Sequence, residues 1–249
     1  MATKKKLFVY ATVLNNAEWI ADCIGSIERL KPDWIMITDA GSTDGAKHIL
    51  DEMSVKYENM LIAQEPCSRG KGRQMALDWI YNIANDDDLV MYVDCDDVYS
   101  DYFVDYIGQK SKEVKDMETY TFGLMTIKTS KLAEWKDLNY GEDWERFAHL
   151  KSLGVHIKDF IKENDTKWYI KRREGIGMVE REKYYNKSFI ALFNTLIKCH
   201  KGMAYKNWTG DAKHFTSRIA NIIAHILAYP YYSYDKKMNN REFVWTQKT

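Results

Sequence analysis

The chain has 249 residues, 45% hydrophobic and 29% charged, which is enough core material for one large α/β domain or two small ones. Lys plus Arg and Asp plus Glu number 36 each, so the net charge is zero and the basic footprint of a nucleic-acid binder is absent. Cys23, Cys67, Cys95 and Cys199 show no C-x-x-C spacing, which favours a reduced intracellular setting over a disulfide framework. The apolar run after the basic N-terminus is too short for a signal peptide, and no stretch approaches the ~20 apolar residues of a membrane span. The expectation is a soluble protein, or one that lies on a membrane surface.

Leu7 to Leu14 reads as a strand from its apolar and β-branched content, with Asn15 and Asn16 as caps for the helix that follows. In that helix Trp19, Ile20, Cys23, Ile24 and Ile27 recur at helical spacing, and the run stops near Lys31-Pro32. Trp34 to Thr38 is a second strand, ending in Asp39-Ala40-Gly41-Ser42-Thr43-Asp44-Gly45. A helix over roughly 44–56 buries Ile49, Leu50 and Met53, and Leu61 to Ala63 is a third strand. The basic, Gly-containing segment 68–73 then leads into a helix carrying Met75, Ala76, Trp79, Ile80 and Ile83. Leu89 to Val93 is a strand buried on both faces, and it runs into Asp94, Asp96 and Asp97.

This β-α-β-α-β-α-β alternation predicts a mostly parallel sheet with helices on both faces over about the first hundred residues. Further on, Tyr120 to Lys128 reads as another strand, followed by a turn and a short helix near Leu132. Gly141-Glu142-Asp143 opens a helix that presents Phe147, Leu150 and Leu153 on one face, with Gly154 as its C-cap. Residues 155–161 and 168–171 fit strands, the charged, Gly-containing stretch 171–182 fits a loop, and 184–200 and 211–229 fit apolar helices.

The residues with chemistry stand at strand ends. In an open parallel sheet the carboxyl ends of the strands are where ligands bind. Thr12, Asp39, Asp94 and Asp96 lie at or just beyond such ends, and Arg73 lies in the basic segment before the fourth strand. Crowded carboxylates repel one another unless a cation or proton sits among them, so Asp94 and Asp96 read either as a metal site or as a solvated acidic turn. Asp39 can accept hydrogen bonds from a ligand or belong to a turn capped by Ser42 or Asp44. Glu142 and Asp143 are either a functional pair or favourable charge in a helix's first turn.

Five segments in order resemble the family 2 glycosyltransferases. These are the strand 8–16, Asp39-Ala-Gly-Ser-Thr-Asp-Gly, Arg73-Gln74 in place of the usual Arg-Asn, Val93-Asp94-Cys95-Asp96-Asp97 as a D-x-D motif, and Gly141-Glu142-Asp143-Trp144 as an E-D motif. The resemblance covers about residues 7–175. It implies a GT-A fold, with residues 1–116 as a nucleotide-binding half, 117–180 as an acceptor-binding half, and 181–249 as a helical C-terminal extension packed on the same domain. It implies transfer of a sugar, with inversion, from a nucleotide-diphosphate sugar to a hydroxyl of a glycan, lipid-linked or protein acceptor, with a UDP-sugar ahead of a GDP-sugar as donor.

Carried over by position, Thr12 and Asp39 hold the nucleoside with backbone help near Ala11, and Arg73 approaches the base or phosphates. Asp94, with Cys95 beside it, contacts the ribose or the metal shell. Asp96 ligates Mg²⁺ or Mn²⁺, Asp143 is the general base, and Asp97 is a cap for the following helix. The departures are Gln74 for Asn, Ala11 where Pro is common, and His149 where Arg is common.

Alternatives follow from the same residues. Asp94-Cys-Asp-Asp-Val98 also fits the nucleophile motif of haloacid-dehalogenase-like phosphatases, although three β-α units precede it here. A nucleotidyltransferase would want a Gly-rich phosphate loop after the first strand, which is absent. A non-catalytic nucleotide-sugar-binding module leaves Asp143 without a role. Arg172 and Arg173, before Gly175 and Gly177, could close over a diphosphate. The apolar faces at Phe189 to Ile197 and Ile219 to Leu227 suit either a membrane surface or packing on the core or a second subunit. The expected location is the cytoplasm, with the inner face of a membrane as the alternative.

Overall fold

The computed structural model describes residues 4–139, 142–158 and 166–172, together with Ile223, Ile226 and Leu227. The predicted 171–182 loop beyond Arg172 (including Arg173, Gly175 and Gly177), Gly141, the Trp144 side chain and most of the two C-terminal helices lie outside the described residues.

The first hundred residues form β1 (Leu7–Val13), α1 (Ala17–Glu28), β2 (Trp34–Asp39), α2 (Ala46–Lys56), β3 (Met60–Gln64), α3 (Arg69–Ile83) and β4 (Leu89–Tyr92). After them come β5 (Asp97–Tyr99), α4 (Asp101–Glu113), β6 (Glu118–Thr119), β7 (Met125–Thr126), α5 (Ile127–Ser130), α6 (Glu142–Ser152), β8 (His156–Ile157) and β9 (Tyr169–Arg172). The main sheet has the order β3-β2-β1-β4-β7, and only β7 runs antiparallel. Short pairs β5-β9 and β6-β8 flank it.

Strand parity sorts the core. Val9, Ala11, Ile35, Ile37, Met91 and Val93 face one side, where α1 packs Ile20, Ile24 and Ile27 and α4 packs Phe103 and Ile107. Phe8, Tyr10, Met36, Val90 and Tyr92 face the other, against Leu77 and Ile80 of α3, Trp135, and Phe147 and Leu150 of α6. Both sheet faces are covered, so the strands are continuous apolar runs instead of alternating ones.

Several local expectations change. The stretch 120–128 is not one strand, because Phe122 and Gly123 both take φ near +61° and turn the chain. The short helix is α5, before Leu132 and not at it. The basic Gly segment does not precede the helix but opens it: α3 begins at Arg69, capped by Ser68, whose hydroxyl accepts from the Lys71 N–H. Its glycines serve contact. A Cβ on Gly70 would stand 1.9 Å from the Lys136 carbonyl oxygen, and one on Gly72 would stand 2.6 Å from the Thr12 side chain. Asp97 lies in β5, and the cap of α4 is Ser100, which accepts from the Phe103 N–H. On α3, Trp79 and Ile83 are exposed instead of joining the core, which takes Ala76, Leu77 and Ile80.

Glycine costs roughly 1 kcal/mol against alanine in a helix interior. Gly25 in α1 has nothing within 4 Å of an added Cβ, so Gly25→Ala should raise the melting temperature. Gly70→Ala should lower it, because the Lys136 backbone must move. Thermal unfolding of the two variants checks both signs.

Candidate active site

The carboxyl ends of β1, β2 and β4 meet along one edge, with Val13 in register with Asp39. The Val93 N–H donates to the Tyr10 carbonyl, which carries the β1-β4 ladder past β4 and sets Asp94 beside the end of β1. Tyr92 and Asp94 share parity and face α3 and α6, while Val93 and Cys95 face α1.

The loop after β2 is built from short polar bonds. Asp39 is 2% exposed and its Oδ1 accepts the Ser42 N–H at 2.9 Å. The Ser42 hydroxyl accepts the Asn15 N–H, and the Asn15 Oδ1 accepts the Thr43 N–H. Asp44 serves two helices at once: one oxygen accepts the Ala17 N–H of α1 and the other the Ala46 N–H of α2. Asn16 occupies the N-cap position of α1 but makes no capping bond. Its amide reaches the Cys95 carbonyl, joining the β1 loop to the D-x-D loop.

Thr12 and Thr38, both near strand ends, donate to the carbonyls of Arg69 (3.0 Å) and Gly72 (2.9 Å), so the first turn of α3 is pinned onto the sheet edge. From the other side Gly70 N–H donates to the Leu138 carbonyl, and Gln74 accepts the Trp135 N–H at 2.7 Å. Gln74 therefore holds the segment that carries Trp135.

At the centre stands Arg73, 2% exposed. Its Nη2 donates to Asp94 Oδ1 at 2.6 Å and its Nη1 to Glu142 Oε1 at 3.0 Å. Its guanidinium lies 4.5 Å from the Tyr92 ring centre and 4.6 Å from that of Trp135. The same indole is faced by the Arg146 guanidinium at 4.8 Å and donates to the Tyr10 hydroxyl at 3.0 Å. Arg146 also bonds Tyr10 and the Ser130 carbonyl and hydroxyl. Burial opposes the Arg73 charge, but Asp94 and then Glu142 more than offset it, and its pKa is raised. Burial also pushes the Glu142 carboxyl up, against the pull of Arg69 and Arg73. Cys95 and burial hold the Cys23 thiol well above its ordinary range, and both thiols are free.

The structure thus brings Arg73, Asp94 and the helix bearing Asp143 together, and sets Thr12 against α3. Glu142 points inward, 2% exposed, whereas Asp143 is half-buried beside it. Asp96 is also half-buried, just past Asp94. Three contributors were not singled out from the sequence: Trp135, Arg146 and Arg69. Once α3 is known to start at 69, the four-residue spacing of Arg69 and Arg73 puts both on one helical face, which is the signal that existed for Arg69. Trp135 carried none beyond being aromatic.

Asp94 and Asp96 are hard oxygen donors on a solvent-reachable loop, and the Asp94 side chain is 43% exposed. Among the described residues no group of three or more potential ligands encloses a metal site. The Asp94 and Asp96 carboxylates match the donor type of Mg²⁺ or Mn²⁺, which takes one or two protein carboxylates and completes its shell with phosphate oxygens and water.

The fold is that of the GT-A glycosyltransferases. The sequence model described as glycosyl transferase family 2 matches residues 9–135, and the chain belongs to that family. Among solved structures it is similar to TarS of S. aureus (TM-score 0.53, 14% identity), covering 89% of this chain and 43% of TarS. It is similar to mannosyltransferase PcManGT from Pyrobaculum calidifontis in complex with GDP-Man and Mn²⁺ (TM-score 0.53, 14% identity), over 93% of this chain and 77% of that one. It is also similar to glucosyl-3-phosphoglycerate synthase from Mycobacterium tuberculosis in complex with phosphoglyceric acid (TM-score 0.50, 13% identity), over 80% and 82%. A search of curated proteins gives no match. Within the described residues no helix is long and apolar enough to cross a membrane.

Removing one partner of a buried ion pair leaves an uncompensated charge and costs roughly 3–5 kcal/mol, whereas exposed i,i+4 pairs contribute about 0.3–0.5 kcal/mol. Glu142→Ala should therefore destabilise the protein far more than Asp51→Ala, whose partner Lys47 is exposed. Urea unfolding measures the contrast.

Proposed function

We propose that the chain transfers a sugar, with inversion, from a nucleoside-diphosphate sugar to a hydroxyl acceptor, assisted by a divalent cation at Asp94 and Asp96. The observation that supports this most is the Arg73 bridge. One guanidinium contacts a carboxylate of the D-x-D loop and the residue next to Asp143, so the donor-side and acceptor-side groups share one wall. Residues 1–116 form the nucleotide half in this reading and residues from 117 onward the acceptor half. Thr12 and Asp39, with the backbone near Ala11, hold the nucleoside. Arg73, buried and engaged on both sides, orients Asp94 and Glu142 in place of meeting the base. PcManGT, solved with GDP-Man and Mn²⁺, lends support to both the donor class and the cation.

Asp143 accepts the proton of the acceptor hydroxyl as its oxygen attacks the anomeric carbon from the face opposite the leaving group. It stands in the first turn of α6, beside Glu142. A cation bound at Asp94 and Asp96 would neutralise charge that grows on the departing diphosphate. Asp39 fixes the far end of the donor, so the reacting carbon is held between the diphosphate and the base.

A thermal-shift screen of UDP, GDP and their sugars, with and without Mn²⁺, should show Mn²⁺-dependent stabilisation by one nucleotide, since a ligand of the native state raises stability. Asp96→Ala should remove that shift. Asp143→Asn should keep it while transfer falls by about 10²–10⁴-fold, the usual worth of a general base. Full transfer activity in Asp143→Asn would displace the base assignment, and phosphatase turnover without any nucleotide response would favour the Asp94-nucleophile alternative.

A further inference from the structure

Two guanidinium groups meet Glu142 Oε1, and they are not equivalent. Arg73 reaches it at 3.0 Å with its side chain 3% exposed. Arg69, one turn earlier on α3, reaches it at 3.4 Å with its side chain 44% exposed. The backbone of Arg69 is fixed: its N–H donates to Asn139 Oδ1 and its carbonyl accepts the Thr12 hydroxyl. Among the described residues its head is held by the longer contact. The neighbouring N–H groups are already occupied, Gly70 by the Leu138 carbonyl and Lys71 by the Ser68 hydroxyl. The positive group this end of α3 presents to a ligand is therefore the Arg69 side chain and not the helix terminus.

We propose that Arg69 is a phosphate-binding residue of the donor site, whose guanidinium leaves Glu142 to engage the diphosphate of the nucleotide sugar while Arg73 stays in place. This rests on the donor reading above. The asymmetry between the two arginines is what allows the exchange. When Arg69 leaves, Glu142 keeps its closer partner, so no buried charge is stranded. If Arg73 left, Glu142 and Asp94 would both lose theirs. The contact that Arg69 gives up is the longer of the two, made from a side chain 44% exposed to a carboxylate that Arg73 still holds. What it gains is a bidentate, charge-assisted match between a planar fork and phosphoryl oxygens. It stands between Thr12, on the nucleoside side, and α6, on the acceptor side, which is where a diphosphate joining nucleoside to sugar must lie.

Calorimetric titration of UDP and GDP in excess Mn²⁺, on wild type, Arg69→Gln and Arg69→Lys, tests this. Ligand-observed NMR supplies the affinities for uridine and guanosine. Arg69→Gln should weaken the diphosphate that wild type binds by about tenfold to a hundredfold, the range of a charge-assisted hydrogen bond, and leave the nucleoside affinity unchanged. Arg69→Lys, which keeps the charge but not the fork, should fall between the two. Unchanged diphosphate affinity in Arg69→Gln overturns the proposal. So does an equal loss for nucleoside and diphosphate, which would make the residue structural. If Arg69→Gln does not fold, the same comparison is made on Arg69→Lys against wild type, with selective loss for the diphosphate still required. Wild type that binds neither diphosphate overturns the donor reading itself, and this unmutated control separates that failure from failure of Arg69 alone.

Discussion

The site depends on one buried cation. Taking a guanidinium out of water is expensive unless its donors and its faces are both met. Arg73 has a carboxylate on each terminal nitrogen, and the Tyr92 and Trp135 rings, edge to face with each other, both have their centres within 4.6 Å of its guanidinium. The partners come from separate parts of the chain: Tyr92 and Asp94 from the exit of β4, Trp135 from the segment before α6, and Glu142 from α6 itself. None of them can shift without exposing or stranding the charge. The cation thus fixes the distance between the D-x-D loop and the E-D helix, although they are nearly fifty residues apart in sequence. Its Nε and the second Glu142 oxygen are buried without a hydrogen-bond partner among the described residues, so the network is held by position more than by full satisfaction.

The Trp135 indole extends this constraint. It lies against both Arg73 and Arg146, and its N–H is bound by Tyr10 from the central strand. Cation–π contacts of this kind gain strength when desolvated. Sheet, α3 and α6 converge on one residue. That convergence requires α3 to lie very close to the 136–138 backbone and to Thr12, which is why Gly70 and Gly72 stand in a helix where alanine would otherwise be preferred.

How much of this was legible follows from which features are local. The strands up to Asp94 are short continuous apolar runs and the helices between them repeat at a period of 3.6 residues, so the parallel sheet could be read directly. The strand-end placement of Thr12, Asp39 and Asp94 came with it. The start of α3 was placed a few residues late because Gly70 and Gly72 are poor helix formers, and only contacts distant in sequence explain them. The 120–128 stretch was misread because the left-handed turn at Phe122 is set by ring packing against Tyr99, Phe103 and Trp168, which no local pattern announces. The inward role of Glu142 was hidden for the same reason. Glu142 and Asp143 are adjacent, but a helix turns them about 100° apart, and only the position of Arg73 says which faces the interior.

Charge balance links the proposed cation to the arginines. Among the described residues Asp39, Asp94, Asp96, Glu142 and Asp143 gather along this edge, with Arg69 and Arg73 as the cations beside them. Arg73 is already committed to two of the carboxylates. A site that stays negative repels a nucleoside diphosphate, so the donor cannot enter on the strength of Arg69 alone. A divalent cation held by Asp94 and Asp96 would change the sign at the D-x-D loop, and the proposed Arg69 contact would then add to its pull on the diphosphate. In this arrangement the buried arginine does not bind the substrate. It keeps the carboxylates of the D-x-D loop and of α6 apart, so that one set meets the cation while Asp143 remains available to the acceptor.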